Sequence, residues 1–262
     1  RLSLVGSEMC IRDRLGAAYG NPLVLLMLGG FILAAALERS GAHRRIALYM
    51  VRAFGGTSPR RLVFGFMCAS AFLSMWISNT STTLMLLPVA LAALEKTDDM
   101  NLSGPLLLGI AYAASIGGIG TPIGTPPNMV FMGVYTEVTG GAVSFGQWML
   151  WAIPVVLILL PIAGLWITRG VSKSGGVALP EAEAWSTGER RVLVIFSITA
   201  LLWMTRKGPW GGWSEWLSLP YANDAMVAFL AVIALFVVPS GEQDSNGDPE
   251  RCLLYTSPSP RD

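Results

Sequence analysis

The chain has 262 residues, of which 53% are hydrophobic and 13% are charged, and its formal net charge is +1. Soluble globular domains carry about 25% charged residues, so this composition excludes that class and indicates a polytopic membrane protein. A net charge this close to zero gives no reason to expect a nucleic-acid partner.

The two ends of the chain are predicted to be unrelated to the fold. A single DNA sequence, read on opposite strands, encodes both Leu4–Asp13 and Cys252–Asp262, which is typical of a sequencing adapter. We therefore assign residues 1–14 and 252–262 to adapter-derived sequence. Native sequence is then expected from about Leu15 to about Arg251 and truncated at both ends, with Cys68 as its one cysteine.

The first membrane span is predicted at Pro22–Leu37. This apolar segment is only slightly shorter than the about 20 residues that cross a bilayer as a helix. Six arginines follow within a short segment that ends at Arg61. Apolar residues alternate with them between Ile46 and Phe54, which predicts an amphipathic helix at the membrane interface. The excess of arginine places this side of the membrane in the cytoplasm.

The segment Leu62–Leu94 contains no charged residue and has the polar cluster Ser78-Asn79-Thr80 near its middle. It is too long for one ordinary span and too short for two. We predict a re-entrant helical hairpin over residues 62–94 that turns near Ser78–Thr83. A straight helix that places Asp98 and Asp99 outside remains the alternative.

A second charge-free segment is predicted to form a broken helix over residues 105–138. Pro105–Ile116 forms the first half, and the second half runs from Pro126 to about Val138. The residues between them are rich in glycine and proline, which loosen the backbone or lack a hydrogen-bond donor. A simple proline kink is the alternative, although it needs only one proline.

The remaining elements complete an all-α membrane fold. Spans are predicted at Trp148–Thr168, Val192–Thr205 and Asp224–Pro239, with a cytoplasmic linker at residues 171–191. Residues 15–170 would form a first transporter repeat, and residues 192–251 would begin a second one. Three tryptophans between the last two spans predict an interfacial belt rather than a sugar platform: Trp210, Trp213 and Trp216.

The first polar cluster has the chemistry of paired ion sites. Ser74 and Ser78 share one helix face, and their hydroxyls together with the Asn79 carbonyl are hard oxygen donors. Such donors suit a hard cation such as Na⁺. The helix that leaves the cluster presents its N-terminus to the same place, where an anion is favoured. Hydroxyls bonded back to an ordinary helix are the structural alternative.

The second polar cluster repeats this arrangement. Thr125 is predicted to cap the following half-helix, with Pro126 at its first position. Gly124 lets the backbone approach an ion closely, and Asn128 could face the same site. Two broken helices of this kind indicate a binding site near the membrane midplane in a secondary transporter.

These motifs resemble the divalent anion/sodium symporter family, which carries dicarboxylates, tricarboxylates or sulfate with Na⁺. The resemblance rests on Met75–Thr80 with Leu86-Leu87-Pro88, and on the run Gly117–Asn128. It implies two inverted repeats, each with a re-entrant hairpin and an unwound helix. It also implies a Na⁺ site at four residues and a substrate site at three: Ser74, Ser78, Asn79 and Gly124 for Na⁺, and Asn79, Thr80 and Thr125 for the anion.

The function expected from the residues and the resemblance is Na⁺-coupled symport of C4-dicarboxylates or sulfate across the cytoplasmic membrane. The complete protein is expected to be a multi-pass homodimer in the lipid bilayer, whereas this chain alone is expected to lack saturable anion binding. An arsenite-type or proton-coupled carrier is the alternative. An enzyme is not expected, because neither motif contains a His, Lys, Asp or Glu that could act as a base.

Overall fold

The computed structural model describes residues 16, 19–55, 58–95, 101–171, 185–207, 212–219, 221–243 and 249–252. These residues form ten helices: α1 Pro22–Arg39, α2 Ala42–Gly55, α3 Pro59–Ser74, α4 Asn79–Leu94, α5 Ser103–Gly118, α6 Pro126–Thr139, α7 Phe145–Ile167, α8 Thr187–Thr205, α9 Trp213–Trp216 and α10 Asp224–Val237. The all-α prediction is confirmed for the described part of the chain, apart from one short pair of strands.

The strands form an antiparallel hairpin that the sequence did not predict. Strand β1 (Pro239–Gln243) pairs with β2 (Pro249–Arg251) directly after α10. Proline cannot continue a helix because it lacks the backbone donor, so α10 ends before Pro239 and the polar segment pairs with itself.

Within the described residues, two helices are long and apolar enough to cross a membrane, Pro22–Arg39 and the continuous run Phe145–Gly170. Helices α4, α5 and α10 are also apolar but shorter. Along α7 large apolar side chains face outward, including Leu150 at 68% and Leu157 at 65% exposure. An outer surface this apolar is typical of contact with lipid.

Polar side chains set the starting points of most helices. Each cap accepts a hydrogen bond from a backbone N–H in the first helical turn: Asn21, Ser58, Ser78, Ser144, Ser186 and Asn223. Such caps satisfy donors that have no partner inside the helix. The residue type at these six positions therefore fixes where the helices begin.

Helices α3 and α5 pack closely because small residues line their contact. Gly109, Ala113 and Gly117 are spaced four apart on one face of α5. A Cβ on Gly117 would lie 2.1 Å from the Ala71 carbonyl oxygen, and one on Gly109 would lie 3.1 Å from Met67. This close approach brings the ends of both helices, and therefore both helix breaks, together.

Helix α1 supports the second break from the other side. A Cβ on Gly30 would lie 2.9 Å from the Ile123 side chain, and a Cβ on Gly29 would lie 2.6 Å from Ala228 of α10. The glycine pair therefore lets α1 contact both the unwound segment and the last helix.

One ionic contact joins α2 to the start of α8. Glu189 closes a capping box, in which its Oε2 accepts from the Ser186 N–H at 2.7 Å and its N–H donates to Ser186 Oγ. Its Oε1 accepts a hydrogen bond from Arg45 of α2. Burial by itself would raise the pKa of the Glu189 carboxyl, but the bonds from Arg45 and Ser186 lower it below its ordinary value of 4.5.

Replacing Glu189 with glutamine is expected to lower the apparent melting temperature of the purified protein at pH 7. Glutamine keeps only one acceptor oxygen and no charge, so one of the two hydrogen bonds is lost, and such bonds to a charged group are worth about 1.5–3 kcal/mol each. Because the folded-state pKa is depressed, their contribution is present above pH 4.5 and is lost as the pH falls through the folded pKa. The difference in melting temperature between wild type and variant should therefore disappear only at acidic pH.

A matched control for this change is Glu38→Gln. Glu38 lies at the end of α1, and within the described part of the chain its side chain has no hydrogen bond. Thermal melts from pH 7 to pH 3 compare the three proteins. A melting temperature for Glu189→Gln equal to that of Glu38→Gln at pH 7 would contradict the prediction.

A buried ion pair lies where α8 ends and α10 begins. Arg206 donates through Nε and Nη2 to the two carboxylate oxygens of Asp224, at 2.5 and 2.9 Å. The backbone N–H of Phe145, the first residue of α7, donates to the same carboxylate, and Trp203 Nε1 donates to the Asp224 carbonyl at 2.9 Å. The pair thus joins three helices at one end of the bundle.

Some predicted features fall outside the described residues. They are residues 1–14 and 253–262, Asp98 and Asp99, linker residues 172–184, and Trp210 of the tryptophan belt. Of the other two tryptophans, Trp216 is 75% exposed and Trp213 donates from Nε1 to the Leu202 carbonyl.

Candidate functional site

A short helix break at residues 75–78 separates α3 from α4, and the first polar cluster begins at its last residue, Ser78. The break begins just before the predicted turn at Ser78–Thr83, so Asn79 and Thr80 already belong to the first turn of α4. The physical reason is the Ser78 cap, since its Oγ accepts from the Ser81 N–H at 3.2 Å and starts the helix at once. The re-entrant path of this segment stays a prediction.

One hydrogen bond spans this break. Ser74 is the last residue of α3 and is fully buried, and its Oγ donates to Asn79 Oδ1 at 2.5 Å. Within the described residues, Nδ2 of Asn79 donates no hydrogen bond of its own. The amide therefore keeps two donor hydrogens available beside the break.

The second break, at residues 119–125 between α5 and α6, is bonded directly to the first. The buried Thr121 hydroxyl donates to the Met75 carbonyl oxygen. The same hydroxyl accepts from the Gly124 N–H at 3.1 Å. Thr121 thus connects the two unwound segments through a single side chain.

Two further side chains hold the second break in shape. Asn128 is buried, and its Nδ2 donates to the carbonyls of Gly118 and Thr121, both at 2.8 Å. Trp148 of α7 donates from Nε1 to the Ile119 carbonyl at 2.9 Å. Carbonyls freed by the break are in this way satisfied in an apolar setting.

Gly124 lies where backbone oxygens from both breaks converge. A Cβ at this position would lie 2.6 Å from the Gly118 carbonyl oxygen, 3.0 Å from that of Ser74 and 3.1 Å from that of Met75. The Asn79 Oδ1 atom lies beside Gly118, whose carbonyl oxygen is one of these three, since a Cβ on Gly118 would lie 2.5 Å from Oδ1. We call these three carbonyl oxygens and Asn79 Oδ1 the oxygen cluster.

The structure therefore brings together three of the predicted cation ligands and separates the fourth. Ser74, Asn79 and Gly124 meet at the oxygen cluster. Ser78 is exposed, its hydroxyl is used as a helix cap and its carbonyl accepts from the Thr82 N–H. Its described contacts do not include the cluster.

The two helix N-termini beside the cluster differ in their donors. Helix α4 begins with Asn79 and Thr80, whose N–H groups have no partner inside the helix. Helix α6 begins with Pro126 and Pro127, which have no N–H at all. Hydrogen-bond donors for an anion are therefore concentrated at α4.

Thr125 occupies the N-cap position of α6 but does not cap it, which corrects the sequence prediction. Its backbone is extended and its side chain makes no capping hydrogen bond. The reason is that the first two residues of the helix are prolines, and the next N–H, that of Asn128, bonds to the Thr125 carbonyl at 3.1 Å. The half-buried hydroxyl is left available for other contacts.

The structure also identifies contributors that sequence reasoning missed. Thr121 was read as part of the glycine- and proline-rich motif and received no role, and neither did the Gly118 carbonyl or Trp148. A hydroxyl inside a charge-free, unwound segment must find a partner, and that signal could have identified Thr121. The Trp148 contact joins residues far apart in sequence and had no local signal.

Buried polar atoms without partners also lie next to the first break. Among the described residues these are Trp76 Nε1 and Thr82 Oγ1. Trp76 is 8% exposed and packs against Phe145, at 6.2 Å between ring centroids, and Phe196 of α8, at 5.1 Å. The first break is therefore packed against the part of the chain predicted to begin the second repeat.

The cluster is built from neutral oxygens. In the described part of the chain, no group of three or more His, Cys, Asp or Glu side chains could hold a metal ion. Carbonyl and amide oxygens are hard ligands that suit hard cations. The arrangement can thus bind a monovalent cation beside an anion without an ionised side chain.

Comparison with known proteins gives consistent results. The chain matches the citrate transporter family over residues 3–241. It is 32% identical over 256 residues to the sodium-dependent dicarboxylate transporter SdcS of Staphylococcus saprophyticus, covering 89% of this chain and 49% of that protein. It is 34% identical over 250 residues to the protein of the same name in Staphylococcus aureus strain MW2, covering 87% and 47%. The chain thus spans about half the length of the curated relatives it matches.

Proposed function

The chain belongs to the citrate transporter family, a family of transporters rather than enzymes, and we propose that it contains the first repeat and the start of the second repeat of a Na⁺-coupled dicarboxylate symporter. The observation that carries this proposal is the oxygen cluster, in which two helix breaks supply neutral oxygen ligands beside a donor-rich helix N-terminus. The names of the relatives, sodium-dependent dicarboxylate transporters, support the same cation and substrate class. We place the complete protein in the cytoplasmic membrane as a multi-pass homodimer.

Na⁺ would bind at the oxygen cluster. The proposed ligands are Asn79 Oδ1 and the carbonyl oxygens of Ser74, Met75 and Gly118, with Gly124 leaving the space that they need. The Met75 and Gly118 carbonyls each accept one hydrogen bond already, so each keeps a lone pair for the ion. We propose that Ser78 acts through its cap on α4 rather than as a ligand.

The substrate carboxylate would bind at the N-terminus of α4. Asn79 Nδ2, the Thr80 hydroxyl and the unpaired N–H groups of the first turn are its proposed donors, and the Thr125 hydroxyl approaches from the second break. The positive end of the helix dipole favours the anion. Because Asn79 faces the cation with its oxygen and the anion with its nitrogen, it would couple the two sites directly.

This arrangement suggests an order of events. Na⁺ would draw the carbonyls of both breaks together and orient the Asn79 amide, and the dicarboxylate would then meet a preformed set of donors. Rigid-body movement of the broken helices would expose the site to either side of the membrane. The second repeat would supply the matching half-site for the other carboxylate.

The test is uptake of labelled succinate, citrate or sulfate into liposomes that contain the complete transporter. An inward Na⁺ gradient should drive uptake, and a K⁺ gradient should not. Ser74→Ala removes the hydroxyl that orients Asn79 and is expected to raise the half-saturating Na⁺ concentration about tenfold, equivalent to about 1.4 kcal/mol. Ser115→Ala is the matched control, because that hydroxyl is exposed and bonds only to its own helix.

The outcomes separate the proposal from its alternatives. Uptake that ignores the Na⁺ gradient but follows a pH gradient, and that survives Ser74→Ala and Asn79→Ala, would favour a proton-coupled carrier. Preference among the three labelled anions decides between dicarboxylate, tricarboxylate and sulfate.

A further inference from the structure

An apolar groove of about 750 Å³ lies between α5 and α7, and none of its lining residues contributes to the oxygen cluster. Its walls are almost entirely hydrocarbon and include Pro105, Leu108 and Ile116 of α5 and Ile162, Ala163 and Trp166 of α7. Many of these side chains are open to the outside, with Leu108 at 54%, Ile162 at 58% and Trp166 at 66% exposure. The groove is therefore an open, apolar surface of this chain.

The length of the groove matches one leaflet of a bilayer. At about 1.5 Å of rise per residue, the wall from Pro105 to Ile116 runs about 16 Å along α5. The hydrocarbon core of a bilayer is about 30 Å thick, so one leaflet contributes about 15 Å. A groove of this length is suited to a single acyl chain.

Positive charge is concentrated at one end of the groove. The start of α5 and the end of α7 meet there, and Arg169 follows immediately, with its guanidinium 4.0 Å from the centre of the Trp166 ring. Arg60 approaches the same end, since its Nε donates to the Thr168 carbonyl at 2.8 Å. This is the arginine-rich side of the protein, which the distribution of charge places in the cytoplasm.

We propose that the groove binds an anionic phospholipid of the cytoplasmic leaflet. One acyl chain lies along α5 and α7, and the phosphate pairs with Arg169, whose position over Trp166 holds the guanidinium at the depth of the headgroups. The charge at the groove mouth favours this occupant over a second copy of the chain, whose contact would not require an arginine there. Juxtamembrane arginines attract anionic lipid in this way.

Native mass spectrometry of the detergent-purified complete transporter, with phosphatidylglycerol or phosphatidylcholine added, tests the proposal. Wild type should retain phosphatidylglycerol in preference to phosphatidylcholine. Arg169→Gln should weaken retention of phosphatidylglycerol about fivefold and leave phosphatidylcholine unchanged. Ala163→Trp fills the groove and should reduce binding of both lipids.

Two matched controls accompany these variants. Arg190→Gln removes an exposed arginine at the start of α8, and Val155→Trp places the same large side chain on α7 outside the groove. Both should retain lipid as wild type does. Equal retention of the two lipids by wild type and Arg169→Gln would overturn the proposal, and so would loss of a dimer, rather than loss of lipid, in Ala163→Trp. Arg169 is exposed, so Arg169→Gln is expected to fold normally. It therefore tests the proposal even if Ala163→Trp does not fold.

Discussion

Replacing Gly124 with alanine is expected to lower Na⁺-driven dicarboxylate uptake by the complete transporter at least tenfold. The new methyl carbon would lie 2.6 Å from the Gly118 carbonyl oxygen and 3.0 Å from that of Ser74. Both neighbours are backbone atoms, so the strain cannot be relieved by rotating a side chain. The carbonyls would have to move apart, and the methyl group would occupy the space proposed for the ion.

The measurement is initial uptake of labelled succinate into liposomes as a function of Na⁺, together with the melting temperature of each protein. We expect at least a tenfold fall in Na⁺-stimulated uptake, with protein that still elutes as a single folded species. Gly133→Ala is the matched control, because a Cβ there meets nothing closer than Leu23 at 3.7 Å. Normal Na⁺ activation in Gly124→Ala would rule out a cation site at the oxygen cluster.

Replacing Asp224 with asparagine is expected to cause the largest loss of stability among single changes outside the site. It leaves the Arg206 guanidinium buried without its counter-charge, which costs about 3–5 kcal/mol. The side chains of the pair are only 8% and 9% exposed, so water compensates for only part of the lost partner. The change also weakens the acceptor for the Phe145 N–H at the start of α7.

Thermal melts in detergent measure this effect. Glu137→Gln serves as the control, because that carboxylate is exposed and makes no ion pair in the described part of the chain. The double change Arg206→Met with Asp224→Leu removes both charges and should recover much of the stability. If the melting temperature of Asp224→Asn equals that of wild type, the buried pair contributes nothing to the stability of the fold.

Much of the fold could be read from the residues because its determinants are local. Long charge-free segments indicated membrane helices. The polar cluster Ser78–Thr80 and the glycine- and proline-rich run Gly117–Pro127 indicated approximately where helices break. The serine caps at the observed starts of α3, α4 and α7 are also local features, but the sequence analysis did not use them. The hairpin of β1 and β2 was missed because this short polar segment lacks the alternation of apolar and polar residues that predicts a strand.

The site was predictable only in part, for a related reason. Ser74, Asn79 and Gly124 could be selected by residue type, since oxygen donors and a glycine beside helix breaks suit an ion site. The roles of Ser78 and Thr125 depended on which N–H each hydroxyl could reach, and this depends on where each helix starts and on the prolines at Pro126 and Pro127.

By itself the sequence determined the class of protein, the position of its two helix breaks and the residue types that face them. Only the tertiary structure decided that the breaks meet, because their contact depends on the packing of α3 against α5 at Gly117 and on the bond from Thr121 to Met75. Those contacts join residues more than forty positions apart, and no local pattern encodes them. An ion site made of backbone carbonyls has no side-chain signature, so its geometry appears only when the helices are packed.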